Sequence, residues 1–130
     1  MYIIFGCDEI GNALARNLSR AGDETLIIDN SETVFVGLKE PNLRTIITNI
    51  HTLDFSSLPM KDTIAFILLQ KTSQDNLMIA NRIKKLFPDK FVLSRATDEI
   101  EAAELLKNGV DRTVQIARII THAILDELET

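Results

Sequence analysis

Short apolar runs alternate with amphipathic stretches along the whole 130-residue chain, and this alternation restricts the fold more than any other feature. The runs predict five strands and a shorter sixth, over Tyr2–Gly6, Thr25–Asp29, Arg44–Thr48, Thr63–Gln70, Lys90–Arg95 and Asp111–Gln115. The run Thr63–Gln70 is the most apolar, which places it at the centre of the sheet. Strands that alternate with helices need crossover connections, so the sheet should be parallel.

The stretches between the strands predict helices, because their apolar residues recur every three or four positions. The expected cap and stop residues are Gly22 for the first helix, Ser31 for a short helix through Leu38, Thr72 with Asp75 for a helix that ends near Pro88, and Thr97 with Gly109 for the next helix. A last helix is expected over residues 116–129, and residues 49–60 predict a loop with one helical turn. The pattern therefore predicts one domain over residues 1–130 with an α/β fold, a Rossmann-like doubly wound parallel sheet of about six strands with helices on both faces.

Composition and charge exclude several classes of function. The net charge is −5, from 19 acidic and 14 basic residues, and no clustered basic face is visible, so we expect no nucleic-acid groove. No apolar run approaches the roughly 20 residues that cross a bilayer. Cys7 has no second cysteine to pair with and the N-terminus lacks a secretory signal, so we expect a cytoplasmic protein. His51 and His122 are far apart in the sequence, which gives no metal-ligand spacing.

The first strand runs into a glycine turn within the stretch IIFGCDEIGNALARNL. Gly6 and Gly11 fit the first and third glycines of the dinucleotide-binding frame G-x-G-x-x-G, but Asp8 occupies the middle position. A helix N-terminus is an intrinsic anion site, and Asp8 either adjoins a bound phosphate or caps the helix amides itself. The candidate binding residues in this turn are Gly6, Cys7, Asp8, Glu9, Ile10 and Gly11.

An acidic residue ends the second strand. Asp29 follows Gly6 by 23 residues, where a carboxylate would hydrogen-bond a ribose hydroxyl. The same carboxylate would repel a 2′-phosphate, which disfavours NADP. The alternative is that Asp29 and Asn30 only form a turn after the strand. Both residues are therefore candidates for binding the sugar.

Polar side chains also follow the other predicted strands. Arg95 ends the fifth strand, and it either pairs with a phosphate and offsets the acidic turn or forms a salt bridge with a local carboxylate. Thr48 and Asn49 end the third strand, where they could edge an adenine. Lys71 and Asn76 flank the loop after the fourth strand. Because ligands of such sheets bind outside the carboxyl ends of the strands, all five are candidate binding residues.

The stretch IIFGCDEIGNALARNL, the strand end TLIIDN and the segment that runs from TIAFILLQKTSQDN to LLKNGVD together resemble the N-terminal RCK domain, also called the TrkA-N or KTN domain. The specific features are Gly6 in the turn, Asp29 after the second strand, Asn76 in TSQDN, Arg95 in VLSRA, and LLKNGVD before the sixth strand. The resemblance extends over about residues 2–128.

The resemblance implies a cytoplasmic, non-enzymatic module that senses a ligand and regulates a potassium channel or transporter. Such domains bind NAD(H), AMP, ADP or ATP, pair as homodimers and often assemble into larger rings. By position, Gly6 and Gly11 match the phosphate-turn glycines of the family. Asp29 matches the ribose-binding acid, and Arg95 matches the arginine near the ligand phosphates. The same kind of domain also precedes other modules, including archaeal phosphoesterases of the DHH type, so the partner is either a membrane protein or an appended domain.

Two positions depart from the family pattern. Asp8 stands where the second glycine usually is, and Thr48-Asn49 stands where many members have Gly-Asp after the third strand. Both departures bear on phosphate binding, and a mononucleotide such as AMP has less phosphate to place than a dinucleotide. A copy that has kept only the scaffold is the alternative.

The last predicted helix carries more apolar residues than one packing face needs. They are Ile116, Ile119, Ile120, Ala123, Ile124, Leu125 and Leu128. The excess predicts burial against the same helix of a second subunit, and the alternative is a wide face packed on the sheet of its own chain. The resemblance implies the dimer, because related domains pack or exchange this helix across a two-fold axis.

Three functions follow as hypotheses: a nucleotide-sensing regulatory module, a ligand-free dimerisation scaffold and an NAD-dependent oxidoreductase. Hydride transfer needs a substrate pocket and usually an acid or base over the nicotinamide. No segment remains to build a substrate domain, and no His or Lys/Tyr pair lies persuasively near the crevice. We therefore expect no enzyme activity, no catalytic residue and no metal.

Overall fold

The computed structural model describes residues 1–31 and 39–129. Within them, six parallel strands form one sheet in the order β3-β2-β1-β4-β5-β6. The strands are β1 (Tyr2–Phe5), β2 (Thr25–Asp29), β3 (Leu43–Ile47), β4 (Ala65–Leu68), β5 (Phe91–Ala96) and β6 (Arg112–Gln115). The predicted doubly wound sheet is confirmed, with β1 and the apolar β4 at its centre. Strand order reverses between these two strands, and this is where sheets of this kind bind ligands.

Four α-helices connect or follow the described strands. They are α1 (Glu9–Arg20), α2 (Ser73–Leu86), α3 (Glu99–Lys107) and α4 (Ile116–Leu128). The loop before β4 holds two short 3-10 helices, Phe55–Ser57 and Met60–Asp62, instead of the single turn expected there. The short helix predicted from Ser31 through Leu38 falls on residues 32–38, which lie outside the described residues.

The sheet is buried on both faces, which explains why its central strands are apolar at nearly every position. On one face, Ile3, Phe5 and their neighbours pack against α2 and α3 in the larger apolar cluster. On the other face, Ile4, Ile27 and Ile67 pack against α1 in the smaller cluster. Helices therefore cover both faces of the sheet, as the alternating pattern predicts.

Helix capping follows the sequence at α2 and departs from it at α3. The Thr72 hydroxyl accepts the Asp75 N–H at 3.2 Å, which confirms that cap. The predicted cap at Thr97 is wrong, because Asp98 is the N-cap residue of α3 and its carboxylate accepts the Glu101 N–H at 3.0 Å. β5 runs one residue further than expected, and the Thr97 N–H donates instead to the Glu101 carboxylate at 2.7 Å.

A charged link joins α2 to the far end of the sheet. Lys84 Nζ donates to Asp111 Oδ2 at 2.8 Å and to the Lys90 carbonyl at 2.7 Å. The same Asp111 oxygen accepts the Val92 N–H at 2.8 Å. Partial burial alone would raise the pKa of Asp111, but the bonds from Lys84 and Val92 and the charge of Lys84 outweigh it and hold that pKa below its usual value.

The last helix, α4, begins where predicted, and every residue from Ala117 to Glu129 is exposed. At its start the Ala117 N–H donates to the carbonyl of Thr97, the residue after β5, at 3.1 Å. The large apolar side chains of this helix that are at least half exposed are Ile119, Ile120, Ile124, Leu125 and Leu128. The alternative of a wide face covered by its own sheet is therefore wrong.

Candidate functional site

The turn between β1 and α1 is too tight for any residue but glycine at two positions. Gly6 has φ +108°, and a Cβ there would come within 2.8 Å of the Leu69 backbone carbon on the neighbouring strand end. A Cβ on Gly11 would overlap the Gly6 carbonyl oxygen. The two glycines therefore allow the end of β4 to pass close to the turn and α1 to begin directly against it.

The carboxylate of Asp8 caps α1. Its Oδ1 accepts the N–H groups of Ile10 and Gly11, each at 3.1 Å, and Asp8 has the extended backbone typical of an N-cap residue. Its Oδ2 lies 3.0 Å from Arg95 Nη1, and both side chains are mostly shielded from solvent. Of the two alternatives given for Asp8, the structure contains the helix cap. Of the two given for Arg95, it contains the salt bridge with a nearby carboxylate.

Asp29 joins the end of β2 to the turn. Its Oδ2 accepts the Cys7 N–H at 2.8 Å, and its Oδ1 accepts the Ser31 N–H at 3.0 Å. An ionised carboxylate offers about four acceptor positions, so about two remain for the hydroxyls of a sugar. Asp29 therefore forms the turn contacts expected under the alternative interpretation. Its carboxylate can still accept hydrogen bonds from a ligand in the cavity beside it.

The side chain of Asn76 supports the loop after β4. The side chain is 1% exposed, its Oδ1 accepts the Gln70 N–H, and its Nδ2 donates to the Gln70 carbonyl, both at 3.0 Å. These two bonds fix the backbone next to Lys71, whose side chain is exposed. Asn76 lines neither of the two larger cavities near the turn, so its place in the structure is that of a loop support.

A cavity of about 310 Å³ lies between the turn, the end of β2 and the loop after β4. Its volume is at the lower end of the roughly 300–1,000 Å³ typical of small-molecule sites. Six of the candidate residues line it: Gly6, Cys7, Asp8, Asp29, Asn30 and Lys71. Gln70, Thr72 and Asp75 also line it, and the sequence reasoning did not select them as binding residues although they follow a central strand.

A larger groove of about 680 Å³ lies next to this cavity, along α1. Cys7, Asp8 and Lys71 border both, and Glu9 lines the groove. Further along the groove, Arg16 and Arg20 face Glu40, at 3.5 and 3.2 Å between the charged atoms. At the boundary between the two spaces, burial first, and then the charges of Asp29 and Asp8, raise the pKa of the Cys7 thiol to about 11.

The residues that follow β3 contact the backbone of Asp29. The Thr48 N–H donates to the Asp29 carbonyl at 2.9 Å, and Asn49 Oδ1 accepts the His51 N–H at 2.9 Å. Asn49 shares a small pocket of about 60 Å³ with Asn30 and His51. His51 Nε2 also lies 3.5 Å from an oxygen of Asp75, so the histidine borders the site from outside.

Among the described residues, no group of three or more His, Cys, Asp or Glu side chains is arranged to hold a metal ion. None of the described helices has the length and apolarity to span a membrane.

Comparison with known proteins supports the fold and identifies the family. The family model of the TrkA-N domain matches residues 2–116. Potassium channel protein 1 of Methanocaldococcus jannaschii is 26% identical over 116 residues, which cover 87% of this chain and 35% of that protein. The chain thus spans about a third of the length of this curated relative.

Solved structures show the same fold over nearly the whole chain. The NAD(P)-binding domain of an exopolyphosphatase-related protein from Archaeoglobus fulgidus is 22% identical with a TM-score of 0.84, covering 98% of this chain and 96% of that one. The Kef C-terminal domain of Shewanella denitrificans in its AMP-bound form is 19% identical with a TM-score of 0.78, covering 99% and 82%. With the family model matching most of its length, this chain belongs to the TrkA-N domain family.

Proposed function

We propose that the chain is a cytoplasmic, non-enzymatic regulatory domain that binds an adenine nucleotide or nucleoside and controls a potassium channel or transporter. The observation that carries the proposal is the cavity at the point where strand order reverses, with the Asp29 carboxylate on its wall. The relative in Methanocaldococcus jannaschii is a potassium channel, and the Kef domain of Shewanella denitrificans holds AMP. Both support a nucleotide-responsive role in potassium transport.

The roles of the site residues follow from their positions. Asp29 accepts hydrogen bonds from the ribose hydroxyls with the acceptor positions that the Cys7 and Ser31 amides leave open. Asn30, Asn49 and the backbone after Thr48 edge the base beyond the sugar. Candidate ligands are NAD(H), AMP, ADP and ATP, together with the nucleoside part that they share.

Dimer formation through α4 is part of the proposal. Ile120, Ile124 and Leu128 recur at helical spacing in one exposed apolar stripe with Ile119 and Leu125 beside it, and a monomer would leave that stripe in water. A second copy of the chain presents the same stripe, and packing about a two-fold axis would bury both stripes. The dimer, or a ring built from dimers, then carries the signal to a channel or transporter subunit.

Regulation requires that the ligand prefer one arrangement of the assembly over another. A ligand changes an equilibrium only by its difference in affinity for the two states. β5 holds Arg95 at the turn, and the residue after β5 bonds the start of α4 through the Thr97 carbonyl. The site and the proposed dimer helix are therefore joined by one short segment.

Thermal shift assays test the proposal directly. Adenosine, AMP, ADP, ATP, NAD and NADH are titrated to millimolar concentration, and a ligand of the native state raises the melting temperature. Asp29→Asn should remove that increase. Asp54→Asn is the matched control, since the Asp54 carboxylate also accepts a backbone N–H, that of Ser56 at 3.0 Å, but lines neither cavity near the turn. If no adenine compound shifts the transition, the proposed sensing function is wrong.

A ligand-free dimerisation scaffold is the second candidate. The observation that favours it is the Asp8 carboxylate, which already occupies the amides of the first turn of α1. The likeness to a domain of an exopolyphosphatase-related protein supports a third arrangement, in which the domain precedes a phosphoesterase. Under the scaffold reading the dimer persists and the thermal shift is absent, whereas a domain in front of a phosphoesterase keeps the shift.

A further inference from the structure

The anion position of the turn is filled by the chain itself. In a glycine-rich turn, the first amides of the following helix point at the bound phosphate. Here those of Ile10 and Gly11 donate to Asp8 Oδ1, each at 3.1 Å. The Arg95 guanidinium also pairs with this carboxylate, with 3.0 Å between Nη1 and Asp8 Oδ2. The Asp8 carboxylate thus occupies the hydrogen-bond donors that a bound phosphate would need.

The cavity next to this carboxylate remains open. Its walls carry the Asp29 carboxylate, the Gln70 loop and the Asp75 carboxylate, and among the described residues that line it Lys71 is the one cation. The volume of about 310 Å³ is of the size that small ligands occupy, so a nucleoside has room beside Asp8. The wall toward the turn carries negative charge where a 5′-phosphate would have to lie.

We propose that Asp8 is an internal anion that excludes phosphate from the turn, so that the site takes an adenine nucleoside whose 5′ position bears no phosphate. This inference rests on the proposed function, because it names the ligand class of the same cavity. A 5′-phosphate would have to displace the carboxylate from two amides and from Arg95, or lie beside it as a second negative charge. Repulsion between the Asp8 carboxylate and an adjacent phosphate would weaken binding even where water partly screens the two charges.

Isothermal titration with adenosine and AMP tests the inference on the intact chain. Asp8→Asn removes the charge and keeps a side chain that caps helices as well as aspartate does. We expect the wild-type protein to bind adenosine roughly tenfold or more tightly than AMP, the equivalent of about 1.4 kcal/mol. Asp8→Asn should abolish most of this preference by raising the affinity for AMP while leaving that for adenosine within about threefold. Asp8→Gly, which exposes the amides, should raise the affinity for AMP further.

Two additional variants separate the local effect of Asp8 from its charge alone. Glu24→Gln removes one negative charge at an exposed position beyond the other end of α1, and it should leave the adenosine preference unchanged. Arg95→Gln in the Asp8→Asn background should lose the gained affinity for AMP, because the freed guanidinium is the group that would pair with the phosphate.

The outcomes distinguish this inference from the proposed function. If the wild-type protein binds AMP at least as tightly as adenosine, or if Glu24→Gln changes the preference as much as Asp8→Asn, the inference is overturned and the proposed function stands. If neither compound binds the wild-type protein or Asp8→Asn while both remain folded by circular dichroism, the proposed function itself is wrong.

Discussion

Arg95 at the end of β5 pairs with Asp8 at the start of α1, with 3.0 Å between Nη1 and Oδ2. The pair joins parts of the chain that are 87 residues apart, across the central strand β4. It also determines the chemistry of the turn, because the same carboxylate accepts the first amides of α1.

Removing the cap should destabilise the domain measurably. Asp8→Ala leaves the Ile10 and Gly11 amides and Arg95 without the carboxylate, and loss of an N-cap costs about 0.5–2 kcal/mol. Asp8→Asn should cost less, because the amide oxygen still accepts from the helix. Urea unfolding measures both values. Asp98→Ala at the N-cap of α3 is the reference, and a loss of stability in Asp8→Ala well below that of Asp98→Ala would contradict the capping role.

The two glycines of the turn should tolerate alanine less well than a glycine elsewhere. Gly22 has φ +93°, similar to that of Gly6, but an added Cβ there meets nothing within 4 Å. Gly22→Ala should therefore cost about 1–2 kcal/mol for the left-handed backbone alone. Gly6→Ala should cost about 1–3 kcal/mol more, since its Cβ also meets the Leu69 backbone. Chemical denaturation measures both free energies of unfolding. Equal losses in Gly6→Ala and Gly22→Ala would contradict the close approach of the Leu69 backbone to Gly6.

Stability should fall as the solution becomes acidic, in part through Asp111. Its pKa is lower in the folded protein than its usual value, so the folded state holds the carboxylate ionised more strongly than the unfolded chain does. The contribution is complete above the unfolded pKa of about 4 and is lost as the pH falls through the folded pKa.

The partner of this carboxylate provides the test. Lys84→Met removes the ammonium group that donates to Asp111 at 2.8 Å and keeps an apolar stem of similar length. Melting temperatures measured from pH 7 to pH 3 should decline less steeply in Lys84→Met than in the wild-type protein. Parallel curves would contradict the assignment of this pH dependence to the pair.

The exposed stripe of α4 should bring two chains together. Light scattering at tens of micromolar should give twice the monomer mass for the wild-type protein, and Ile120→Asp should give the monomer because it puts a charge into the apolar contact. His122→Asp is the matched control, since His122 is also exposed and projects about 200° around the helix from Ile120. A wild-type monomer, or a dimer that survives Ile120→Asp, would exclude this helix as the dimer contact.

Much of the fold is predictable from the sequence because its signals are local. The six strands and the positions of α1, α2 and α4 follow from apolar runs and helical periodicity, and Gly6 and Gly11 from the frame of the turn. The cap of α3 was misplaced by one residue because Thr97 and Asp98 both suit an N-cap position, and the extra residue of β5 decides between them.

Other features depend on contacts between distant parts of the chain. The pairing of Arg95 with Asp8 and the two bonds from Asn76 to Gln70 depend on how β4 and β5 are placed beside the turn. The sequence indicated that these residues meet at one edge of the sheet, but several pairings were compatible with that edge. Gln70 and Thr72 were missed as lining residues because loop residues carry no periodic signal, and Asp75 because its place in the first turn of α2 indicated only a cap.

The central claim is that the cavity beside Asp29 binds the adenosine part of a ligand. Nuclear magnetic resonance tests it most directly, because the Cys7 and Ser31 amides donate to the Asp29 carboxylate and report on anything that binds there. Titration with adenosine should shift these two amide signals and that of Gln70 in a saturable manner. Absence of any such shift at millimolar adenosine and AMP, or shifts confined to residues away from the cavity, would contradict the account.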